Sequence, residues 1–239
     1  MAMKGRLARL SRREQAPRSV GTGRGRQERG EPLWPVLAAL VVAIILPFLL
    51  PSDFRSIATW VMTSVEIILL VAMVVLDPGR IDGHSVLIRR VRVSLIAVLV
   101  TRSAIAAVTL TAELVTADPS LNTSSELFSS GAVVWLGLVI SFAFLYWEMD
   151  SGGPGMRANA PIIYPDIAFP QQLNPEVRPP GWKPRFGDYL YLGVTTGMAF
   201  SPTDAMPLTR WVKLAMAVES LTSLMVIGLV IARAINVLQ

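Results

Sequence analysis

Three ionisable residues, Glu66, Arg102 and Glu219, lie near the middle of long apolar segments of the sequence. A charge at the centre of a membrane helix costs at least about 2.5 kcal/mol when it is unpaired, so such residues face one another or a polar cavity. The sequence therefore predicts a buried charge network of these three residues. Three interpretations stay open: an ion pair or triad that fixes the register of the helices, a polar pathway with Glu219 or Glu66 as the carrier of protons or cations, or side chains that face a water cavity or extend along the lipid toward the headgroups.

Depth in the membrane makes Glu66 and Arg102 the predicted partners. Glu66 lies twelve residues from the outer end of its apolar segment, and Arg102 lies thirteen residues from the outer end of the next. In helical geometry both distances are roughly 18–20 Å. Glu219 lies eleven residues into the last segment. Because consecutive spans are antiparallel, a pair between Glu66 and Arg102 needs no long reach.

A second polar feature is the stretch 188–204, which reads DYLYLGVTTGMAFSPTD. Its apolar part, 189–200, makes about 18 Å of helix, which reaches only partway across a bilayer. The next four residues break the helix, and Pro207 suits the first turn of another. The pattern predicts a half-helix, a pore-like polar turn and then a full span. The residues assigned to this half-helix and turn are Thr195, Thr196, Gly197, Ser201, Thr203 and Asp204.

Several kinds of catalytic and metal site are excluded by composition. The chain has no cysteine and one histidine, His84, so thiolate sites and multi-histidine metal clusters cannot form. The glycines of GTGRGRQERG lack the flanking strand that a phosphate-binding loop requires. Glu148 and Asp150 are expected at a solvated boundary, with a cation site as the alternative. The sequence thus predicts no catalytic set, no metal, no cofactor and no enzyme.

The composition is that of a membrane protein. Of 239 residues, 52% are hydrophobic and 16% are charged, and the mean hydropathy is +0.51. The apolar residues form long blocks, which is typical of transmembrane helices. We expect an all-α, polytopic transmembrane bundle with about five full spans and one short, re-entrant half-helix before the last span. The predicted spans are 33–50, 54–76, 91–115, 129–147 and 208–238.

The basic residues are distributed unevenly along the chain. Residues 1–30 carry nine Lys and Arg against two Glu, which leaves +7, although the whole chain is only +5. The outer loops 51–53 and 116–128 have no Lys or Arg. The positive-inside rule then places the N-terminus in the cytoplasm. The partners expected are the lipid bilayer and anionic lipid headgroups, the latter through residues 1–30, whose simpler role is a topology signal; no nucleic acid is expected.

These features divide the chain into four regions. They are a basic disordered cytoplasmic tail (1–32), a four-span helical bundle (33–147), a Pro/Gly-rich loop (148–186), and a half-helix with a long C-terminal transmembrane helix (187–239). The eight prolines and early glycines of the loop prevent a continuous helix. Its apolar and aromatic residues indicate that it packs against the bundle.

Separated motifs in the last hundred residues carry a resemblance to a known family. They are YWEMDSGGP (146–154), FPQ (169–171), DYLYLGVTTGMAFSPTD (188–204) and ARAINVL (232–238). In these motifs the chain resembles an uncharacterised family of bacterial integral membrane proteins. The resemblance implies a multi-pass membrane protein of the bacterial inner membrane, but no activity. Residues 188–204 and the helix after them also resemble the pore-loop and inner-helix region of two-span potassium channels. TTGMAFSPTD, however, differs from a TVGYG-like carbonyl filter, which counts against potassium conduction.

Two function classes follow from the sequence. The first is a structural or interaction component of the membrane, with a homo-oligomer as an open alternative, in which the half-helix only packs. The second is a channel-like or transporter-like conduit for protons or cations that uses 188–204 with Glu219 or Glu66. Neither class involves enzymatic catalysis.

Overall fold

The computed structural model describes residues 30–51, 56–77, 80–81, 85–116, 123–159, 164–174, 176–199 and 204–237. Nearly all of the basic tail therefore lies outside the described residues. The fold is all-α. Within the described ranges, the helices are α1 (Trp34–Ile45), α2 (Ile57–Leu76), α3 (Val86–Thr116), α4 (Ser124–Met149), α5 (Pro154–Asn159), α6 (Pro170–Leu173), α7 (Phe186–Ala199) and α8 (Arg210–Val237).

Two antiparallel pairs of very short strands join the loops at one end of the bundle. β1 (Glu31–Pro32) pairs with β2 (Arg80–Ile81), and β3 (Ile167–Ala168) pairs with β4 (Met206–Pro207). The second pair matters for the site, because β4 directly precedes α8 and β3 belongs to the Pro/Gly-rich loop. The N-terminal end of α8 is thereby held against that loop.

Four of the helices, α2, α3, α4 and α8, are long and apolar enough to cross a membrane. The segment predicted as the first of five full spans is shorter: α1 has 12 residues and continues as a four-residue 3-10 turn, Leu46–Leu49. Pro47 explains the change, because proline has no N–H to donate to the carbonyl of Ala43 one turn earlier. That carbonyl instead accepts a hydrogen bond of 2.8 Å from Nη2 of Arg102.

Two of the long helices extend beyond their predicted apolar segments. α3 begins at residue 86, whereas the apolar segment begins at 91. α4 begins at Ser124 because Thr123 and Glu126 form a capping box, in which each side chain accepts a hydrogen bond from the other's backbone N–H. Both helices are therefore longer than their apolar segments, and they carry polar side chains at their ends.

α4 is the central helix of the bundle, and α2 lies at its edge. Most of the apolar window of α4 is buried inside the protein, whereas α2 buries only 17% of its own window. The exposed side of α2 is apolar, which suits contact with lipid tails. Its exposed large residues are Ile57, Trp60, Val61, Val65, Ile67, Ile68, Val71, Val75 and Leu76.

α7 packs against α4 and runs antiparallel to it. At the start of α7, the rings of Phe186 and Phe144 lie 4.5 Å apart between centroids. Three turns further along, Gly197 lies beside Trp135, which is nearer the start of α4. Glycine permits this approach, since a Cβ on Gly197 would lie 3.2 Å from Trp135 Nε1.

α7 and α8 run in the same direction, side by side. A Cβ placed on Gly193 would lie 3.5 Å from Glu219 Oε1, and one placed on Gly197 would lie 3.3 Å from Ser223 Oγ. Both neighbours are 26 positions further along the chain, so the two helices keep a fixed register. The chain thus leaves α7 at one end of this pair of helices and enters α8 at the other end.

Candidate functional site

The structure brings two of the three predicted buried charges together. Nε of Arg102 donates to Oε1 of Glu66 at 2.7 Å, and both residues are buried. The same guanidinium reaches the Ala43 carbonyl that Pro47 leaves without a helical donor. Arg102 therefore ties α1, α2 and α3 together. In the low dielectric of a membrane interior, this arrangement stabilises packing but binds the charge of Glu66 to a fixed partner.

Glu219, the third member of the predicted network, has a different partner. The hydroxyl of Tyr146 on α4 donates a hydrogen bond to Oε2 of Glu219. Glu219 has no exposed surface, and it forms no salt bridge with a described residue. The predicted single network is thus divided, because packing of α8 against α4 gives Glu219 a phenol in place of the guanidinium.

Around Glu219 lies a group of buried polar atoms that lack hydrogen-bond partners in the described part of the chain. They are Oε1 of Glu219, Oγ1 of Thr196, Oγ of Ser223 and Nε1 of Trp135. We call these four residues the Glu219 cluster. Each unsatisfied buried polar group costs free energy, so four such groups on facing turns of three packed helices mark a place where packing alone does not explain the residues.

Two glycines of α7 provide the space for the cluster. Gly193 faces Oε1 of Glu219, and Gly197 faces both Trp135 and Ser223. The hydroxyl of Ser220, one position after Glu219, donates to the carbonyl of Thr196 at 3.1 Å and fastens α8 to α7. The cluster is therefore held between α4, α7 and α8, beside the C-terminal half of α7.

The atoms of the Glu219 cluster are chemically complementary. An indole N–H only donates, a serine or threonine hydroxyl both donates and accepts, and a carboxyl group accepts when charged and donates when protonated. A hydrogen-bonding guest such as water would satisfy these groups, and a carboxyl beside hydroxyls can pass a proton along such a chain. The arrangement suits proton movement or the binding of a small polar solute.

The remaining residues of the predicted pore-like turn are dispersed. Thr195 and Asp204 line a small pocket of about 110 Å³ with Asp188, on a different face of α7 from the cluster. The hydroxyl of Thr195 donates to the carbonyl of Leu192 within its own helix. Two further predicted residues, Ser201 and Thr203, lie outside the described residues.

The expectation that Glu148 and Asp150 lie at a solvated boundary is wrong, since only 7% and 0% of their surfaces are exposed. Asp150 accepts hydrogen bonds from the hydroxyl of Tyr189 at 2.5 Å and from the backbone N–H groups of Asp166 and Ile167. Burial is possible because these donors compensate for the loss of water. Asp150 thus joins the end of α4, the loop and the start of α7.

The glycines after Asp150 explain how the corner closes around these acids. Ser151, Gly152 and Gly153 all have positive φ angles, which glycine adopts without strain. A Cβ on Gly153 would lie 2.9 Å from Oε1 of Glu148. The run SGG following two acids was the available sequence signal for a tight, buried corner.

Arg157 also stabilises the corner that follows α4. Its Nη1 donates to the carbonyls of Trp147 and Asp150 at 2.7 and 2.6 Å, and its guanidinium lies 4.9 Å from the ring centroid of Tyr189. This combination of hydrogen bonds and a cation–π contact fixes the start of α7 against the end of α4. The motif YWEMDSGGP therefore forms the buried corner against which the start of α7 packs.

Glu31 joins the N-terminal end of the bundle to the end of α4 and the start of α7. Its carboxylate accepts a hydrogen bond of 2.9 Å from Nε1 of Trp147 and another from the backbone N–H of Phe186. Burial raises the pKa of Glu31 above the usual glutamate value, although these two donors and the nearby Arg157 oppose the shift.

Metal binding has no obvious place among these groups. Within the described ranges, no group of three or more His, Asp or Glu side chains is placed to hold a metal ion. The Glu219 cluster contains a single carboxyl group and an indole N–H, which repels cations. Comparisons with protein-family models, with curated proteins and with solved structures found no match for this chain.

Proposed function

We propose that the chain is a multi-pass protein of the bacterial inner membrane with a cytoplasmic N-terminus. Four long apolar helices and the apolar outer side of α2 support the membrane assignment. The orientation rests on the Lys and Arg residues, which are concentrated in the tail and in the loops at the β1–β2 end of the bundle.

The geometry also supports a re-entrant role for α7. It has 14 residues, about 21 Å of helix, and it lies parallel to the helix that follows it in sequence. Two consecutive parallel helices whose starts are both held by the same loop imply that the chain enters the bilayer as α7 and returns before α8. Helices that end within the membrane must end inside protein or beside a polar cavity. The Glu219 cluster lies along the C-terminal half of α7, where such a cavity is needed.

The function that this geometry supports best is a channel-like or transporter-like conduit for protons, with Glu219 as the carrier. One observation supports it above the others: Glu219 has no basic partner among the described residues, and its free oxygen belongs to a buried cluster of donors and acceptors that these residues leave unsatisfied. Ionisable residues buried in this way in membrane proteins are typical of proton relays. Glu66, the other predicted carrier, is held by Arg102 and is a structural residue in this proposal.

Protons suit the cluster better than metal cations do. A cation needs several oxygen ligands, whereas this cluster offers one carboxyl group, two hydroxyls and a donor-only indole. Hydroxyls and carboxyl groups exchange protons along hydrogen bonds without any group leaving its place. The proposal therefore predicts transport that responds to a pH gradient and not to Na⁺ or K⁺ alone.

Flux measurements in proteoliposomes test the conduit. We expect the wild-type chain to dissipate an imposed pH gradient, measured with an internal pH-sensitive dye, and Glu219→Gln to lose at least about tenfold of that rate. Glu176→Gln is the matched control, because it makes the same exchange at an exposed loop position. Equal rates for all three proteins and for empty liposomes would reject the conduit, and flux driven only by a Na⁺ or K⁺ gradient would reject the proton.

A structural or interaction component of the membrane, with or without self-association, is the second candidate. The extensively bonded corner around Asp150 favours it, because these residues explain the fold without any transported species. This candidate predicts no flux under any gradient, and it predicts that Glu219→Gln behaves like the wild-type chain. The same experiment therefore separates the two candidates.

A further inference from the structure

A basic groove opens at the cytoplasmic start of α3. Its volume is about 650 Å³, and it lies between the first turns of α3 and the corner at residues 152–156. Three arginines from the first two turns of α3, Arg89, Arg90 and Arg92, line it together with Gly152 and Gly155 of the corner. We call it the α3 groove. None of its residues belongs to the Glu219 cluster or contacts it.

The charges in the α3 groove are only partly neutralised. Arg92 is 97% buried, and its Nε donates to Oε2 of Glu148 at 3.1 Å. Arg89 approaches the other oxygen of Glu148 at 3.7 Å, while Arg90 is exposed and forms no ion pair with a described residue. Two of the three guanidinium groups therefore share one carboxylate, and the third has no acidic partner among the described residues.

Arg92 supplies a second, independent sign of a ligand. Its Nη1 is buried and has no hydrogen-bond partner in the part of the chain that the structure describes. A guanidinium N–H that is shielded from water and unpaired is costly, because it has lost hydration without compensation. An anion in the groove would satisfy this donor and balance the excess positive charge. Guanidinium groups match phosphate oxygens particularly well.

The walls of the α3 groove indicate which kind of anion fits. Val86, Val93 and Met156 line it with exposed fractions of 67%, 46% and 48%. Arg89, Arg90 and Arg92 lie on either side of residue 91, where the apolar segment of α3 begins, so the groove lies at the boundary between lipid headgroups and tails. A ligand with a phosphate and an acyl chain matches both the arginines and these apolar side chains.

We propose that the α3 groove binds the phosphate headgroup of an anionic phospholipid. The phosphate lies against Arg89, Arg90 and the free Nη1 of Arg92, and an acyl chain runs along the apolar wall toward the membrane. Basic pockets between membrane helices on the cytoplasmic side are suited to anionic lipids. This site is built into the fold, so it is independent of the basic tail and of the conduit.

The test uses the purified full-length chain in a neutral detergent. Thermal unfolding is followed while a short-chain phosphatidylglycerol is added, with phosphatidylcholine and inorganic phosphate as separate arms. The groove variant is Arg89→Gln with Arg90→Gln, which leaves the buried Arg92–Glu148 pair in place. The control is Arg210→Gln with Lys213→Gln, which removes the same charge from exposed positions in the first turn of α8. The basic tail is unchanged in every protein.

We expect phosphatidylglycerol to stabilise the wild-type chain and phosphatidylcholine not to. The groove variant should bind phosphatidylglycerol about thirtyfold more weakly, and the control variant less than about threefold more weakly. Arg90→Gln alone, at an exposed position without an ion pair, should cost about fivefold and covers the case in which the double variant unfolds. Equal losses in groove and control variants would show diffuse surface attraction and overturn the site. Stabilisation by inorganic phosphate as large as that by the lipid would overturn the lipid assignment.

Discussion

Glu66 and Glu219 are both fully buried, on opposite sides of the bundle, and they have different partners. On the side of α1, α2 and α3, Glu66 faces Arg102 at 2.7 Å. On the side of α4, α7 and α8, Glu219 accepts a hydrogen bond from Tyr146 and has no basic partner among the described residues. The first carboxylate is committed to an ion pair. The second can gain or lose a proton without breaking one.

The surroundings of the two glutamates differ in the same sense. Arg102 also satisfies the Ala43 carbonyl, so the polar groups around Glu66 complete a helix that Pro47 interrupts. Around Glu219, three neighbouring polar atoms are buried without partners, and on the other side Oε2 of Glu66 and Oγ1 of Thr63 also lack partners in the described part of the chain. One side therefore uses its glutamate in an ion pair that fixes the helices, while the other uses its glutamate in a hydrogen bond to a phenol. Stability measurements should separate these two uses.

The largest effect is expected from breaking the Glu66–Arg102 pair. Arg102→Ala leaves Glu66 and the Ala43 carbonyl unpaired, so it should lower the free energy of unfolding by about 3–5 kcal/mol. Arg102→Ala combined with Glu66→Ala should recover part of this loss, because no unpaired charge remains. A thermal-stability cycle in detergent checks this, and strictly additive losses would show that the two residues are not partners.

A smaller effect is expected from crowding the α7–α4 contact beside the Glu219 cluster. A Cβ on Gly193 would lie 3.0 Å from the backbone carbonyl oxygen of Val139, which cannot rotate away. Gly193→Ala should therefore destabilise the chain by about 1–3 kcal/mol. Gly228→Ala is the matched control, since no atom lies within 4 Å of its Cβ position and alanine favours a helix. The thermal midpoints of the two variants should move in opposite directions.

A pH-dependent effect on stability is expected at Glu31, beside the start of α7. Because burial raises its pKa in the folded chain, the folded state holds the proton more tightly than the unfolded state does. Its contribution to stability is then complete below the ordinary glutamate pKa of about 4.3 and falls as the pH rises through the higher folded value. Glu31→Gln does not titrate, so its stability deficit relative to the wild-type chain should shrink over that interval. A deficit that grows with pH in thermal unfolding would contradict the shift.

The smallest effect on stability is expected at Glu219 itself. Glutamine keeps the shape of the side chain and one oxygen for Tyr146, and no cation is left unpaired when the charge is removed. Glu219→Gln should therefore change the free energy of unfolding by less than about 1 kcal/mol. Glu66→Gln is the direct comparison, because it weakens the interaction with Arg102 and should cost more. Equal costs for the two glutamine variants would remove the distinction between the two sides.

The sequence predicts the helical class and the polar positions better than it predicts their partners. Long apolar blocks reveal α2, α3, α4 and α8, since a membrane imposes a minimum length on its helices. Depth along two consecutive helices was enough to suggest that Glu66 meets Arg102. The partner of Glu219 depends on how α8 packs against α4, and no local pattern in the sequence encodes that contact.

The corner at residues 146–157 shows why some burial escapes sequence analysis. Acids at the end of an apolar segment are usually solvated, so the burial of Glu148 and Asp150 was not expected. Their donors come from Arg92, Tyr189 and the backbone after residue 165, which are distant in sequence. Likewise, Pro47 is visible in the sequence, but the use of the freed Ala43 carbonyl by Arg102 depends on the tertiary fold.

The central claim is that α7 enters and leaves the membrane from the cytoplasmic side, which brings the Glu219 cluster into the bilayer. Because the chain has no cysteine, single cysteines can report the side of any position directly. Arg185→Cys precedes α7, Leu208→Cys precedes α8, and Thr123→Cys marks the outer start of α4. In inside-out vesicles, we expect a membrane-impermeant maleimide to label the first two and not the third. Labelling of Arg185→Cys and Leu208→Cys from opposite sides would show that α7 crosses the membrane, and it would contradict the account.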